Sequence, residues 1–236
     1  MSTWRSTFIA ALALAACGCA QQEESRAEAP AAATAAPAPR SDAPAASSPA
    51  RTASRPRIVF LGDSLTAGYG LARDQSVPSL LQQRLDEEGL EYEVVNAGVS
   101  GDTSAGGLSR LEWSLDGDVR VLVIELGGND GLRGLPPAAM KRNLAEIITR
   151  AKGRGIRVLL TGMEALPNFG AAYTSEFRNV FRDLAKEHDV EFMPFFLDGV
   201  AGDLALNQRD EIHPNAEGAR IVERNLWRTL EPMLDD

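Results

Sequence analysis

The most informative segment of this chain reads Ile58-Val59-Phe60-Leu61-Gly62-Asp63-Ser64-Leu65. An apolar run of this length that ends at a glycine is typical of a strand buried on both faces of a parallel sheet. Gly62 allows a sharp turn, and Asp63 or Ser64 can cap the segment that follows. The pattern therefore predicts a strand that delivers the Ser64 hydroxyl to the start of the next element, as a nucleophile requires, although the same residues also form ordinary turns.

Strand-like runs alternate with helical patterns along the rest of the chain. The clearest helix begins near Pro136-Pro137 and ends at Gly153 or Gly155. Such alternation predicts the α/β class, with a three-layer α/β/α architecture, a mostly five-stranded parallel sheet and right-handed crossovers. The strands are expected near Arg57–Leu61, Tyr92–Asn96, Val119–Leu126, Ile156–Thr161 and Val190–Pro194. Ligands of such folds bind beyond the carboxyl ends of the strands.

A serine nucleophile needs a base, and this chain has only two histidines. His188 ends a helical pattern and is expected to decorate a solvated helix end. His213 lies in Asp210-Glu211-Ile212-His213-Pro214-Asn215, where the Asp210 carboxylate is close enough in one turn to orient the imidazole. In the simpler alternative, Asp210 only caps a turn and Pro214 opens a helix.

Two further strand-like runs end in glycine-rich loops that can supply donors to a developing oxyanion. Gly101 lies in Gly98-Val99-Ser100-Gly101-Asp102-Thr103, and its missing Cβ allows close approach of its N–H. Asn129 follows Gly127-Gly128 and carries a side-chain NH2. Ser100 is a rival nucleophile, but its surroundings fit a glycine-rich loop better. Because Ser64, Gly101 and Asn129 each follow a strand, they are expected at the same edge of the sheet.

Four segments together resemble the four blocks of the GDSL, or SGNH, hydrolases, and they occur in the order that this family uses. They are Gly62-Asp63-Ser64-Leu65, Gly101-Asp102-Thr103, Gly127-Gly128-Asn129-Asp130 and Asp210-x-x-His213-Pro214-Asn215. The residues around Ser64 and Asn129 are similar to those of the bacterial arylesterase and thioesterase/lysophospholipase branch of this family. The resemblance runs from about Arg57 to the end of the chain. It implies the flavodoxin-like SGNH hydrolase fold, a catalytic triad of Ser64, His213 and Asp210, an oxyanion hole from the Ser64 and Gly101 amides plus Asn129, and no cofactor or metal.

The leading hypothesis is a serine esterase that cleaves ester or thioester bonds of acyl substrates, with lipids among the candidates, through an acyl-enzyme. The apolar residues Leu132, Leu135, Leu166 and Phe169 lie in loops that can wall an acyl pocket or serve only for packing. Two rivals are a metal-dependent phosphoesterase and a non-catalytic lipoprotein that binds lipid or glycan. The phosphoesterase would use Asp63, Asp130, Asp210 and His213 as ligands of one cation.

Several other classes of protein do not fit the sequence. The Gly-x-Ser-x-Gly elbow of α/β-hydrolases fails because Thr66 stands where its second glycine belongs. Glycine-rich dinucleotide-binding and phosphate-binding loops are missing from the sequence. The formal net charge of −9 argues against nucleic acid as a partner. No obligate protein partner is evident.

The N-terminal segment of the chain is interpreted as a targeting sequence. Residues 1–19 are predicted to be a lipoprotein-type signal peptide, in which Leu14-Ala15-Ala16-Cys17 resembles a bacterial lipobox with lipid attachment at Cys17. An ordinary cleaved signal is the alternative. Residues 20–56 are rich in Ala, Pro, Ser and Glu and are predicted to be a disordered linker, and residues 57–236 form the hydrolase domain. The expected location is the bacterial cell envelope, with a lipid anchor in a membrane and the domain facing the periplasm or the outside.

Overall fold

The computed structural model describes residues 55–234. The predicted signal peptide, Cys17 and nearly all of the predicted linker lie outside the described residues, so those predictions stay predictions. Within the described range, no helix combines the length and the apolar character that a membrane crossing requires.

One five-stranded sheet with the strand order β2-β1-β3-β4-β5 forms the centre of the described domain. All four neighbouring pairs are parallel. The strands are β1 (Arg57–Gly62), β2 (Glu93–Gly98), β3 (Val119–Glu125), β4 (Arg157–Thr161) and β5 (Glu191–Met193). The predicted α/β class and five-stranded parallel sheet are therefore confirmed.

Strands β1 and β3 each contain a run of four apolar residues, as expected where helices cover both faces of a sheet. Ile58, Val59, Phe60 and Leu61 of β1 are completely buried, and so are the four residues 121–124 of β3. The edge strand β5 is shorter than its predicted run, since Pro194 has no N–H to extend the ladder.

Helices pack on the two faces in contacting pairs. α2 (Val77–Glu88) contacts α8 (Ala216–Leu230), and α6 (Pro137–Gly153) contacts α7 (Ala171–His188). A bidentate ion pair joins the first two, with Arg84 Nε 2.5 Å and Nη2 3.1 Å from the carboxylate oxygens of Glu223. The predicted helix after Pro136 is confirmed, including its buried face of Met140, Leu144, Ile147, Ile148 and Ala151.

Short helices lie in the connections that follow β1, β2 and β3. They are α1 (Ser64–Ala67), α3 (Ser104–Ser109), α4 (Leu111–Ser114) and α5 (Gly128–Leu132). Three 3₁₀ turns cover Arg73–Gln75, Pro167–Phe169 and Glu231–Met233. The strand order reverses at β1, which has β2 on one side and β3 on the other. The loops after β1, β2 and β3 therefore meet at the switch point where doubly wound folds bind ligands.

Candidate active site

Ser64 is the first residue of α1, directly beyond the end of β1. Asp63 caps this short helix by accepting the Leu65 amide at 3.0 Å. Gly62 is required by crowding, because a Cβ at this position would lie 1.9 Å from Thr66 Oγ1. The strand therefore ends at Gly62 as the sequence predicts, the element that follows is a short helix, and Ser64 at its start is only partly buried.

The long connection between β5 and α8 brings a histidine and a carboxylate to this serine. Ser64 Oγ lies 2.8 Å from His213 Nε2, and His213 Nδ1 lies 2.8 Å from Asp210 Oδ2. A carboxylate facing Nδ1 favours the tautomer with its proton on that nitrogen. Nε2 is then free to accept the hydroxyl hydrogen of Ser64. The structure therefore brings the three predicted triad residues together in the order nucleophile, base and carboxylate.

The turn that carries Asp210 and His213 is fixed by local hydrogen bonds. Asp210 Oδ1 accepts the amides of Ile212 and His213, both at 3.1 Å, while its other oxygen faces the imidazole. Glu211 between them has a left-handed φ of +66°. Asn215 caps α8 by accepting the amides of residues 217 and 218. Asp210 thus caps a turn and orients the histidine at the same time.

The same hydrogen bonds determine the charge of Asp210. Desolvation opposes ionisation, but the side chain and the amide of His213 outweigh it and hold the pKa of Asp210 below its usual range. The carboxylate consequently remains ionised at neutral pH and can stabilise an imidazolium that forms beside it.

Two backbone amides at the site are open donors. Within residues 55–234, neither the Ser64 N–H nor the Gly101 N–H has a hydrogen-bond acceptor. Gly101 has a φ of +86°, whereas a Cβ there would meet only the Arg133 guanidinium at 3.8 Å. The left-handed backbone conformation therefore favours a glycine at this position, whereas the surrounding side chains leave room for a Cβ.

Asn129 lies between the loops that carry these two amides. Its Nδ2 donates to Asp63 Oδ2 and to the Asp102 carbonyl, at 2.9 Å in each case. Both hydrogens of the amino group are therefore used, and a substrate oxyanion would have to share one of them or displace its acceptor. Asn129 is also a structural connection between the nucleophile loop and the loop after β2.

Two buried carboxyls support the nucleophile loop. Asp63 is 2% exposed and Glu125 is fully buried. Glu125 Oε2 accepts the Asp63 amide at 3.3 Å and the Thr66 hydroxyl at 2.8 Å. Burial raises the pKa of Asp63, and burial together with the Asp63 charge raises the pKa of Glu125 well above its usual range. Sequence reasoning missed Glu125, although a carboxylate ending an apolar strand was a usable signal.

A cavity of about 790 Å³ opens at Ser64 and is also lined by Gly101, Asn129 and His213. Its apolar lining consists of Leu65, Leu132, Met163, Ala165, Leu166, Phe195, Leu197, Ala201 and Ile212, with Pro167 and Tyr69. Most of these residues were not anticipated, because they come from four separate loops with no shared sequence pattern. A cavity of this size and composition suits a small, largely apolar ligand.

The four residues suggested for an acyl pocket do not share one location. Leu132 and Leu166 line the cavity, whereas Leu135 and Phe169 do not. The Phe169 ring packs against the Tyr173 ring, with 5.2 Å between their centroids. The Tyr173 hydroxyl donates to the Leu135 carbonyl at 2.9 Å. Contacts with the start of α7 thus hold Leu135 and Phe169 beside the cavity.

Three other side chains clarify the assignment. Tyr69 was not singled out from the sequence, and its ring lies 4.8 Å from that of His213, between centroids. Ser100 lines the cavity, but the hydroxyl within hydrogen-bond distance of His213 Nε2 is that of Ser64. His188 is the last residue of α7 and lies just before the start of β5. It is therefore near the amino ends of the parallel strands, whereas Ser64 is at their carboxyl ends. The elimination of His188 as the base agrees with this placement.

The four proposed ligands of a phosphoesterase cation do not converge. Asp130 instead accepts the Ser104 hydroxyl at 2.6 Å and the Ser104 amide at 2.8 Å. In the part of the chain that the structure describes, no group of three or more His, Cys, Asp or Glu side chains is arranged to hold a metal ion. The carboxylates at this edge of the sheet are used to join loops.

Comparisons with known proteins agree with this geometry. The GDSL-like Lipase/Acylhydrolase family model matches residues 60–221. Esterase TesA of Pseudomonas aeruginosa is 44% identical over 183 residues, which is 77% of this chain and 91% of that protein. Thioesterase 1/protease 1/lysophospholipase L1 of Escherichia coli is 36% identical over 186 residues, 78% of this chain and 88% of that protein.

A solved structure gives the same result. The crystal structure of the psychrotrophic esterase EstA from Pseudoalteromonas sp., inhibited by monoethylphosphonate, matches with a TM-score of 0.73 and 32% identity, over 76% of this chain and 99% of that one. The predicted fold and the predicted class, an ester-bond hydrolase, are confirmed. The chain belongs to the GDSL-like lipase/acylhydrolase family.

Proposed function

We propose that this chain hydrolyses carboxylic esters or thioesters of acyl groups, with Ser64 as its nucleophile. The observation that carries the proposal is the continuous relay from Ser64 Oγ to His213 and from His213 to Asp210, 2.8 Å at each step. This relay lies at the mouth of a cavity with apolar walls.

The reaction proceeds in two halves. Ser64 Oγ attacks the carbonyl carbon while its proton passes to His213 Nε2, and Asp210 stabilises the resulting imidazolium. The open amides of Ser64 and Gly101 face the tetrahedral oxyanion, with Asn129 as a further donor. The intermediate collapses to an acyl-enzyme, and the alcohol or thiol leaves with the proton from His213. Water then attacks the acyl carbon and gives a proton to His213, and His213 returns that proton to Ser64 Oγ as the bond to the acyl carbon breaks and the acid is released.

The substrate class follows from the cavity. Its lining residues, among them Leu132, Met163 and Leu166, suit an acyl chain rather than a charged group. One relative is named a thioesterase and lysophospholipase, which supports acyl thioesters and lysophospholipids as candidate substrates. We propose acyl esters and thioesters, with those of lipids among the candidates, and no metal or organic cofactor in the reaction.

The proposal is tested with a panel of p-nitrophenyl esters of graded acyl length. Wild-type protein is expected to hydrolyse the panel, including in the presence of EDTA. Ser64→Ala should lose at least about 10⁴-fold in kcat, because removing a serine nucleophile leaves only binding and oxyanion stabilisation. Ser109→Ala, which changes an exposed serine outside the cavity, is the matched control. Undiminished hydrolysis by Ser64→Ala, or loss on chelation alone, would overturn the assignment.

We also propose that the protein is exported to the cell envelope and anchored there by lipid on Cys17. Support comes only from the lipobox-like sequence Leu14-Ala15-Ala16-Cys17 and the composition of residues 20–56. Expression in a bacterium fed with labelled palmitate should label the full chain but not its Cys17→Ser variant. A chain that remains unlabelled in the membrane fraction would contradict the anchor.

A further inference from the structure

Arg110, between α3 and α4, makes three short hydrogen bonds beneath the site. Its side chain is only 16% exposed. Nε donates to Asp102 Oδ2 at 2.6 Å, Nη1 donates to the Ala97 carbonyl at 2.6 Å, and Nη2 donates to the Gly62 carbonyl at 2.8 Å. One guanidinium therefore satisfies acceptors from three separate segments of the chain.

These acceptors adjoin the groups that would bind the oxyanion. Gly62 directly precedes Asp63 and Ser64 at the end of β1, and its carbonyl also accepts the Val99 amide at 3.0 Å. Ala97 is the penultimate residue of β2, and the loop that contains Gly101 follows this strand. Asp102 follows Gly101, and its carbonyl accepts Asn129 Nδ2. Arg110 is thus hydrogen-bonded to the segment that leads to Ser64 and to the segment that contains Gly101.

The chemistry of these contacts requires arginine. A guanidinium offers several N–H donors in a rigid planar fork, whereas a lysine ammonium is a compact charge on a flexible stem. Gly106 in α3 leaves room for Asp102, the carboxylate that Arg110 contacts, because a Cβ on Gly106 would lie 2.6 Å from Asp102 Oδ1. Space for the Asp102 carboxylate is therefore available only with a glycine at residue 106.

We infer that Arg110 is a positioning residue that holds the Gly101 loop at the distance from Ser64 at which both amides contact one oxyanion. The inference rests on the proposed function. Arg110 acts through the backbone groups that it binds, since its own side chain does not line the cavity. Donors misplaced by a fraction of an ångström stabilise the transition state less, while substrate binding in the apolar cavity is little affected.

The test compares Arg110→Lys and Arg110→Ala with wild type on one p-nitrophenyl ester. We expect kcat to fall about 10- to 100-fold in Arg110→Lys, and more in Arg110→Ala, with KM within about threefold of wild type, since losing an oxyanion donor outright costs about 10²–10³ in kcat. The rate of acylation by a fluorophosphonate should fall in parallel. Arg120→Lys, which alters an exposed ion pair with Asp118, is the matched control.

Folding is monitored separately by thermal unfolding, and rates are expressed per folded molecule. Asp102→Asn provides a second variant, because it weakens the Arg110 contact and keeps the carbonyl that Asn129 uses; its kcat should fall in the same direction by less. Unchanged kcat per folded molecule in the Arg110 variants, or a rise in KM that accounts for the loss, would overturn the inference. Failure of the proposed function would show differently, as wild-type hydrolysis that does not depend on Ser64.

Discussion

The proposed nucleophile and the proposed base are held by segments of opposite character. Ser64 follows the buried residues Ile58–Leu61 of β1, and buried carboxyls from Asp63 and Glu125 lie behind it. His213 lies in a surface turn in which the Asp210 side chain is 38% exposed. The first segment depends on close packing and the second on a few local hydrogen bonds. Substitutions behind Ser64 are therefore expected to affect folding and activity together, whereas substitutions in the His213 turn should change stability by little.

The largest expected effect is that of Asp210→Asn. The asparagine cannot stabilise an imidazolium and favours the wrong imidazole tautomer, so kcat should fall about 10⁴-fold, as in other Ser-His-Asp enzymes. The melting temperature should stay close to that of wild type, because the side chain is on the surface. Ester hydrolysis and thermal unfolding are measured on the same sample, with Asp74→Asn as the exposed control. A loss of less than tenfold in kcat would mean that catalysis by His213 does not depend on Asp210.

Gly62→Ala tests the packed side of the comparison. Its Cβ would lie 1.9 Å from Thr66 Oγ1 and 2.8 Å from Glu125 Oε2, both buried. We expect a loss of about 1–3 kcal/mol in the free energy of unfolding, the usual cost of overpacking, and a clear loss of kcat. The control is Gly153→Ala at the end of α6, where a Cβ meets nothing within 4 Å. Chemical denaturation that gives equal stabilities for the two variants would contradict close packing behind Ser64.

Glu125→Gln should change how stability depends on pH. The raised pKa of Glu125 means that the folded state keeps a proton that the unfolded chain releases above about pH 4.3. The wild-type free energy of unfolding should therefore decline as the pH rises above this value, until the folded carboxyl also ionises. The variant should decline less, with a residual slope because the pKa of Asp63 is raised as well. Denaturant titrations between about pH 4.5 and 7.5 measure this, and parallel curves would refute a protonated Glu125.

The smallest expected effect is that of Glu211→Gly in the surface turn. Glycine adopts the left-handed φ of +66° without the cost of a side chain, although it also gains freedom in the unfolded state. The net gain should be at most about 1 kcal/mol in the free energy of unfolding. Asp189→Gly, at a φ of +48° next to α7 and away from the site, should give a similar gain. A large loss in Glu211→Gly alone would show that its side chain holds the turn.

The fold was largely predictable because its signals are local. The buried run Ile58–Leu61 and the amphipathic helix after Pro136 each carry a complete pattern within one element. The short helices α1, α3, α4 and α5 were not assigned from the sequence, since four to six residues span less than two helical turns and are too short to show a periodic pattern. Glycine and proline at the strand ends correctly marked where the chain turns toward the site.

The candidate site was predictable where a residue type is rare and unpredictable where it is common. With two histidines in the chain, His213 could be chosen by elimination, Asp210 followed from its spacing of three residues, and Ser64 from its position after an apolar run that ends in glycine. Arg110 is one of many basic residues, and nothing in its neighbourhood shows that it reaches the ends of β1 and β2. The cavity walls were missed for a similar reason, because Met163, Phe195 and Ile212 meet only through the tertiary fold.

The most direct test of the proposed relay is to locate a fluorophosphonate adduct by peptide mass spectrometry. The structure predicts a single adduct on Ser64, formed by the wild-type protein, absent in Ser64→Ala and strongly slowed in His213→Ala, which loses the base 2.8 Å from the hydroxyl. An adduct on Ser100, or labelling that persists at the wild-type rate in His213→Ala, would contradict the assignment of Ser64 and His213 as nucleophile and base.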